Sequence, residues 1–195
     1  MDGGWGWCSN IISIIITRKN LKQNILNTVP SSWQNYDAVI AKRIYVDNVK
    51  FTKLLKKGFR NYIKDPSILY DNKKHTVKLH FDMFHGYGIL DKAIDLLCIN
   101  DREDFREYVN KNLFFNPHNM FIAKRKIMDE WFKSVFDWLF KCEEKFGFNS
   151  LSGYEKRLYG YLAERYLSYW FNRYTNPIEW DWVFVDMNNG KRTNV

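Results

Sequence analysis

The feature that most constrains the fold is a long amphipathic helix, which the sequence predicts over Lys126–Phe146. Large apolar side chains recur there at intervals of three and four residues, so a wide stripe of the helix is expected to be buried. The stripe consists of Trp131, Phe132, Val135, Phe136, Leu139 and Phe140. Gly147 follows at the position where a helix commonly ends in the left-handed conformation. A second helix is predicted over Ser152–Tyr174, so the last third of the chain supplies two helices that need a packing partner.

Short apolar segments elsewhere predict strands. Ile11–Thr17 is a continuous β-branched run, which is typical of a strand buried on both faces. Tyr36–Val46 and Met120–Ala123 are also predicted to be strands. We expect these three strands to share one sheet that the long helix covers. Further short strands are predicted at Thr76–Phe81 and Trp180–Val185, and a loop is predicted at Phe114–Asn119.

The other periodic segments are helical. Helices are predicted over Lys50–Ile63, over Ile89–Ile99 and over Asp101–Asn110, the last beginning at an Asp101 cap. Strands interleaved with helices predict an α/β fold with a small mixed sheet. At 195 residues the chain is most simply one domain, residues 1–195, with a polar tail at 188–195.

The charge balance favours anionic partners. The formal net charge is +8, and the most basic cluster lies on the predicted helix 50–64, at Lys53, Lys56, Lys57, Arg60 and Lys64. Nucleotide diphosphates, nucleic acids and acidic lipids all suit such a charge, although a solvated basic surface explains it equally well. We expect no nucleic acid, because no reader motif is present, and we expect peripheral membrane contact through the basic helix. Three widely spaced cysteines are typical of a reduced, cytoplasmic protein.

Several motifs resemble a family of bacterial glycosyltransferases. Asn119-Met120-Phe121-Ile122, Trp138-Leu139-Phe140 and the pattern Arg-x-x-Gly-x-Leu-Ala-Glu-Arg at 157–165 are similar to the C-terminal half of that family. Tyr36–Ile40 and the segment 80–91 match more loosely, so the resemblance covers residues 36–174. The family, formerly of unknown function, occurs in capsular, exopolysaccharide and O-antigen gene clusters.

The resemblance implies a fold and a reaction. It implies the nucleotide-sugar-binding GT-A fold and transfer of a sugar from a nucleotide diphosphate donor to a glycan acceptor at the cytoplasmic face of the membrane. Residues 1–35 lack the family's His-Tyr-Arg-Arg-Tyr motif, so the N-terminal portion is divergent or truncated. The alternative is therefore a non-catalytic remnant or a module that binds a glycan or a protein. A basic nucleic-acid-binding protein is a weaker alternative.

Glu164 and Arg157 are the candidate catalytic residues. They lie two helical turns apart and share a face, where Glu164 is expected to accept the proton of the acceptor hydroxyl and Arg157 to contact the diphosphate. Structural ion pairs that fix helix packing explain the same residues. The candidate substrate-binding residues are Asn119, His118, Arg165 and His85.

A metal site has weaker support. His80, Asp82 and His85 fall within six residues, but no further convincing ligand follows them and no Asp-x-Asp is present. We assign no metal ligand and retain Mg²⁺ or Mn²⁺ as a possible cofactor that the resemblance implies.

Overall fold

A computed structural model describes residues 26–149 and 151–182. Within these residues the main sheet has three strands, in the order β4-β1-β5. The central strand β1 (Ala38–Ala41) is buried along its whole length. It pairs antiparallel with β4 (Phe121–Ala123) and parallel with β5 (Pro177–Trp180). Two of the expected strands thus share one sheet, whereas the predicted strand Ile11–Thr17 lies outside the described residues.

The prediction of one strand over Tyr36–Val46 is wrong. The chain leaves the sheet at Lys42 and Arg43, and β2 (Ile44–Tyr45) then pairs antiparallel with β3 (Phe114–Phe115) as a separate ribbon. Two cations interrupt the strand because they turn towards acidic partners, with Lys42 Nζ 2.9 Å from Asp181 and Arg43 Nε 2.7 Å from Glu179. The predicted loop at Phe114–Asn119 accordingly begins with a strand. The last strand is β5, which starts earlier than the predicted Trp180–Val185, and residues beyond Trp182 are not described.

The long helix α6 (Arg125–Phe146) is confirmed, but its buried stripe is narrower than predicted. Trp131, Val135, Trp138 and Cys142 are buried. In contrast, Phe132, Phe136 and Phe140 are 39%, 47% and 61% exposed. The following helix α7 (Leu158–Tyr174) is buried over most of its residues, and it begins after a 3₁₀ turn at Gly153–Arg157. The predicted helix Ser152–Tyr174 is therefore α-helical only from Leu158.

The basic segment is not one continuous helix. It forms α1 (Phe51–Lys57) and α2 (Phe59–Lys64), which meet at Gly58. A Cβ atom at Gly58 would lie 2.9 Å from the Leu54 carbonyl oxygen and 3.3 Å from Met83 Cγ. The close approach of the Leu54 carbonyl thus favours glycine at this junction.

The prediction of a strand over Thr76–Phe81 is also wrong. These residues open α3 (Val77–His85), where the Thr76 hydroxyl accepts a hydrogen bond from Leu79 N at 3.3 Å and caps the helix. Two further helices follow, α4 (Ile89–Ile94) and α5 (Ile99–Lys111), and α4 ends before the predicted boundary at Ile99.

Helices α3 to α7 and the strands enclose one main core. Val77, Phe81, Leu90, Phe105 and Leu162 are among its fully buried members. A smaller cluster of Leu54, Ile68, Leu79 and Met83 anchors α1 to α3. No helix among the described residues is long and apolar enough to cross a membrane. The fold is mixed α/β, with helices packed on a small mixed sheet.

Candidate functional site

Arg165 is a cation in the interior, on α7. Its side chain is 1% exposed, and its guanidinium lies 3.6 Å from the centre of the Phe115 ring. Nη1 forms an ion pair with the carboxylate of Glu164. Nη2 lies 3.3 Å from His80 Nδ1, and because arginine only donates, Nδ1 must accept and the proton sits on Nε2 of a neutral imidazole. Arg165 Nε has no hydrogen-bond partner among the described residues. Burial lowers the pKa of Arg165, and the charge of Glu164 opposes this shift.

Glu164 uses both carboxylate oxygens. Oε2 accepts from Arg165, and Oε1 accepts from the backbone N–H of His118 at 2.5 Å. His118 has a positive φ of 63°, so the carboxylate holds a tight bend in the segment that leads to β4. Glu164 is 14% exposed and therefore lies at the edge of the site rather than in bulk water. The pair Glu164–Arg165 is mostly buried and is not a surface charge pair.

Asn119 and His118 lie next to this pair. Asn119 Nδ2 donates to the Gly160 carbonyl at 2.9 Å, which ties the segment before β4 to the first turn of α7. The His118 ring makes an edge contact with Trp182, with centroids 4.5 Å apart. Burial lowers the pKa of His118, against the opposing effect of Glu164. Of the predicted substrate-binding residues, Asn119, His118 and Arg165 thus meet around Glu164.

His85 and Arg157 form a second group with two tyrosines. The His85 ring stacks on Tyr161 with centroids 3.8 Å apart, and Tyr154 lies 5.4 Å from Tyr161. The exposed Arg157 places its guanidinium 5.2 Å from the Tyr161 ring and 5.8 Å from the Tyr154 ring. Arg157 lies in the 3₁₀ turn before α7, and no ion pair joins it to Glu164 in the described part of the chain. The expectation that these two residues lie on one continuous α-helix is therefore wrong.

The surroundings of His85 are cationic. Burial, reinforced by the charges of Arg165, Arg157 and Lys57, lowers the pKa of His85 to about 2. The imidazole is consequently neutral at pH 7, and its buried Nδ1 has no hydrogen-bond partner among the described residues. Positive charge, aromatic rings and unpartnered polar atoms are the features that an anionic ligand with a planar or sugar portion would use.

The two groups are connected through His80 and Arg165. The rings of His80 and His85 lie 6.2 Å apart, and Arg165 contacts His80. We call the combined set the arginine–aromatic cluster, which comprises His80, His85, Tyr154, Arg157, Tyr161, Glu164 and Arg165. Sequence reasoning missed Tyr154, Tyr161 and His80 as site residues. The seven-residue spacing of the two tyrosines was the available signal, but it acquires meaning only when α3 packs beside α7.

The acidic residue between His80 and His85 is already engaged in hydrogen bonds. Asp82 accepts from Asn61 Nδ2 at 2.9 Å, from Lys78 Nζ at 3.0 Å and from Gly88 N at 3.0 Å. Across the described ranges, no group of three or more His, Cys, Asp or Glu side chains converges as a metal site would require. His80, Asp82 and His85 are therefore not brought together as a set of metal ligands in the described part of the chain.

Comparison with protein families places this site in context. A family described as a domain of unknown function, DUF4422, matches residues 16–176. The match spans most of the chain and includes the whole arginine–aromatic cluster. The chain belongs to this family. Searches of curated proteins and of solved structures returned no match. Within this DUF4422 protein, β5 begins just after the matched region, although it pairs with the central strand β1.

Proposed function

We propose that this protein is a glycosyltransferase of bacterial surface polysaccharide biosynthesis. It transfers a sugar from a nucleotide diphosphate donor to a glycan acceptor, and it works in the cytoplasm at the inner face of the membrane. The proposal includes a GT-A-like fold, which the parallel pairing of β1 and β5 and the helices that cover the sheet support. The resemblance of residues 36–174 to such enzymes motivates the reaction class.

One observation carries the proposal: an exposed arginine lies beside a group of stacked aromatic rings. Arg157 lies near the rings of Tyr154 and Tyr161, and the Tyr161 ring stacks on His85. A guanidinium matches the oxygens of a diphosphate, and aromatic faces stack on a base or a sugar. A nucleotide sugar carries both chemistries in one molecule.

The remaining residues have roles that follow from their positions. Arg165 adds buried positive charge behind His80 and His85. Asn119 and His118, on the segment that Glu164 holds, are proposed to contact the acceptor. Glu164 is the carboxylate of the cluster and is proposed to take the proton of the attacking hydroxyl.

A non-catalytic binding module is the second candidate. The observation that favours it is the engagement of both Glu164 oxygens by His118 N–H and Arg165. In that case Glu164 only positions the loop, and the arginine–aromatic cluster binds a ligand without turnover.

Nucleotide binding tests the first step. Calorimetry with uridine diphosphate and related nucleoside diphosphates, with and without Mg²⁺ or Mn²⁺, is expected to detect binding. Arg157→Ala is expected to weaken it by about tenfold, because one charge-assisted contact is lost. Arg125→Ala is the matched control, since Arg125 is an equally exposed arginine that follows β4, near the opposite end of the central strand. The proposal is contradicted if both variants lose affinity for the nucleoside diphosphate equally, or if the folded wild-type protein does not bind it.

Turnover separates the enzyme from the binding module. Glu164→Gln keeps the shape of the side chain and one acceptor for Arg165 or His118, but it removes the base. The enzyme proposal expects this variant to bind the nucleoside diphosphate as the wild type does and to lose release of that product from a nucleotide sugar. If the variant is fully active, Glu164 has only a structural role. If the wild-type protein binds the nucleoside diphosphate but transfers no sugar, the binding module is favoured.

A further inference from the structure

The helices α1 and α2 expose a row of large apolar side chains. Phe51, Leu55, Phe59 and Ile63 recur every four residues and are 57%, 37%, 55% and 64% exposed. The opposite face packs inward, where Leu54 is 1% exposed and joins the cluster with Ile68 and Met83. The exposed row therefore does not serve the core of the described fold.

The same helices carry only positive charge. Lysine or arginine occupies positions 50, 53, 56, 57, 60 and 64, and no acidic residue occurs from Asn48 to Lys64. Lys57 and Lys53 extend along the Phe84 ring, at 4.5 Å and 5.4 Å from its centre. Lys56, Arg60 and Lys64 are exposed and flank the apolar row. An apolar row bordered by cations is the pattern of a segment that lies in the interface of a membrane.

We propose that the surface formed by α1 and α2 docks on an anionic lipid bilayer. Phe51, Leu55, Phe59 and Ile63 enter the boundary between headgroups and acyl chains, and the lysines and arginine remain at the level of the phosphates. Neither contribution is sufficient alone, because surface charge adds only a modest attraction for each residue and a short apolar row is small.

The charge pattern argues against other occupants of this surface. A second copy of the chain docked face to face would bring two wholly cationic borders together without a compensating carboxylate. A nucleic acid would satisfy the cations, and its unpaired bases can stack on phenylalanine, but it offers no aliphatic environment to Leu55 and Ile63. An anionic bilayer satisfies both.

This docking would bring the arginine–aromatic cluster close to the lipid. Lys57 contacts Phe84, and the Phe84 and His85 rings lie 6.5 Å apart, so α1 borders the cluster directly. The inference rests on the exposed row and its charge and holds whether or not the protein transfers a sugar.

Co-sedimentation of the full chain with lipid vesicles tests the proposal. We expect binding to vesicles of equal parts phosphatidylcholine and phosphatidylglycerol and much weaker binding to pure phosphatidylcholine. The double variant Phe51→Ser/Phe59→Ser is expected to bind at least about tenfold more weakly, because two buried aromatic groups are lost from the interface. The control is Phe136→Ser/Phe140→Ser, which changes two exposed phenylalanines of α6 in the same way and is expected to bind like the wild type.

The charge contribution has its own variants. Lys56→Ala/Arg60→Ala/Lys64→Ala is expected to reduce binding to the anionic vesicles by about 100-fold, because three cations near the lipid phosphates are lost. Lys126→Ala/Lys133→Ala/Lys141→Ala removes three exposed lysines from α6 and is expected to change little. Binding of the wild type should also fall as salt is raised.

Several results would overturn the proposal. One is the absence of vesicle binding by the folded full chain, and another is equal loss in the α6 control variants. Light scattering that shows a dimer converted to a monomer by Phe51→Ser/Phe59→Ser would assign the surface to a second copy. The last is tight binding of duplex DNA or RNA, combined with a serine variant that binds both the nucleic acid and the vesicles as the wild type does. The surface would then act only through its positive charge.

Discussion

At the scale of single residues, Asp101 shows how a buried carboxylate can organise two helices. It is 3% exposed and accepts hydrogen bonds from the hydroxyls of Tyr166 at 2.6 Å and Tyr169 at 3.3 Å, and also from Tyr174. The expected role of Asp101 as a helix cap is wrong, because the cap position of α5 is Cys98. Asp101 lies in the first turn and joins α5 to α7 instead.

Replacing this carboxylate is expected to destabilise the protein. Asp101→Asn keeps one acceptor oxygen and directs an amide donor at the tyrosine hydroxyls, so at least one buried polar group loses its partner. The free energy of unfolding should fall by about 1–3 kcal/mol, measured by urea denaturation. Asp104→Asn is the control, since Asp104 is 49% exposed and forms a surface ion pair with Arg173. Asp104→Asn should lower the free energy of unfolding by less than about 1 kcal/mol. Equal decreases in the two variants would contradict the organising role of Asp101.

The neutral His85 predicts how stability depends on pH. Its pKa is lowered to about 2 in the folded protein, against an ordinary value of 6.5. Below pH 6.5 the unfolded chain binds a proton that the folded protein excludes, so stability is retained above this pH and lost as the pH falls. His85→Phe keeps a ring against Tyr161 and removes the titration. Its unfolding free energy is expected to decrease less than that of the wild type between pH 7 and pH 5, by about 2 kcal/mol. Parallel pH profiles for the two proteins would refute this.

The candidate site was only partly predictable from its residues. Glu164 contacts Arg165 and the backbone N–H of His118, whereas Asn119 contacts Gly160, one turn earlier on α7. Helical spacing predicts that Arg157 and Glu164 lie on one α-helix, because periodicity assumes that the helix is continuous. The 3₁₀ turn at Gly153–Arg157 breaks that assumption, and helical spacing alone gives no indication of it.

At the scale of elements, the long helices were predictable and the short elements were not. A stripe of apolar residues over 22 residues in α6 outweighs local exceptions, whereas α3 has nine residues and a sequence that also suits a strand. Val77, Leu79 and Phe81 alternate, which predicts a strand, yet all three are buried in a helix because the core surrounds α3 on several sides. The position of Thr76 as an N-cap was the local signal for the helix.

Removing this cap gives a test at the same scale. Thr76→Ala deletes the hydroxyl that accepts from Leu79 N, and the free energy of unfolding is expected to fall by about 1 kcal/mol. Thr52→Ala serves as the control because Thr52 is exposed inside α1, where alanine is the better helix former. In chemical denaturation, the free energy of unfolding of Thr52→Ala should equal or exceed that of the wild type. A Thr76→Ala variant as stable as the control would show that packing, not capping, fixes the start of α3.

At the scale of the whole molecule, one buried amide connects the sheet, the site segment and α7. Asn116 Nδ2 donates to the Ala41 carbonyl at 2.8 Å and to Glu179 Oε1 at 3.0 Å, and Asn116 Oδ1 accepts from Ser168 Oγ at 2.7 Å. These contacts reach β1, β5 and α7. Sequence patterns identify each of these regions separately, but they contain no information on which distant groups share a hydrogen-bond network.

Asn116 should therefore matter more to stability than its neighbour Asn119. Asn116 is fully buried, so Asn116→Ala leaves several partners unsatisfied and is expected to lower the free energy of unfolding by about 2–4 kcal/mol. Asn119 is exposed and makes one hydrogen bond, to Gly160, so Asn119→Ala should cost less than about 1 kcal/mol. Under the proposed function, Asn119→Ala should nevertheless impair use of the acceptor. Thermal unfolding of both variants, with turnover of Asn119→Ala, distinguishes a structural amide from a binding one. The opposite ranking of stabilities would refute the network centred on Asn116.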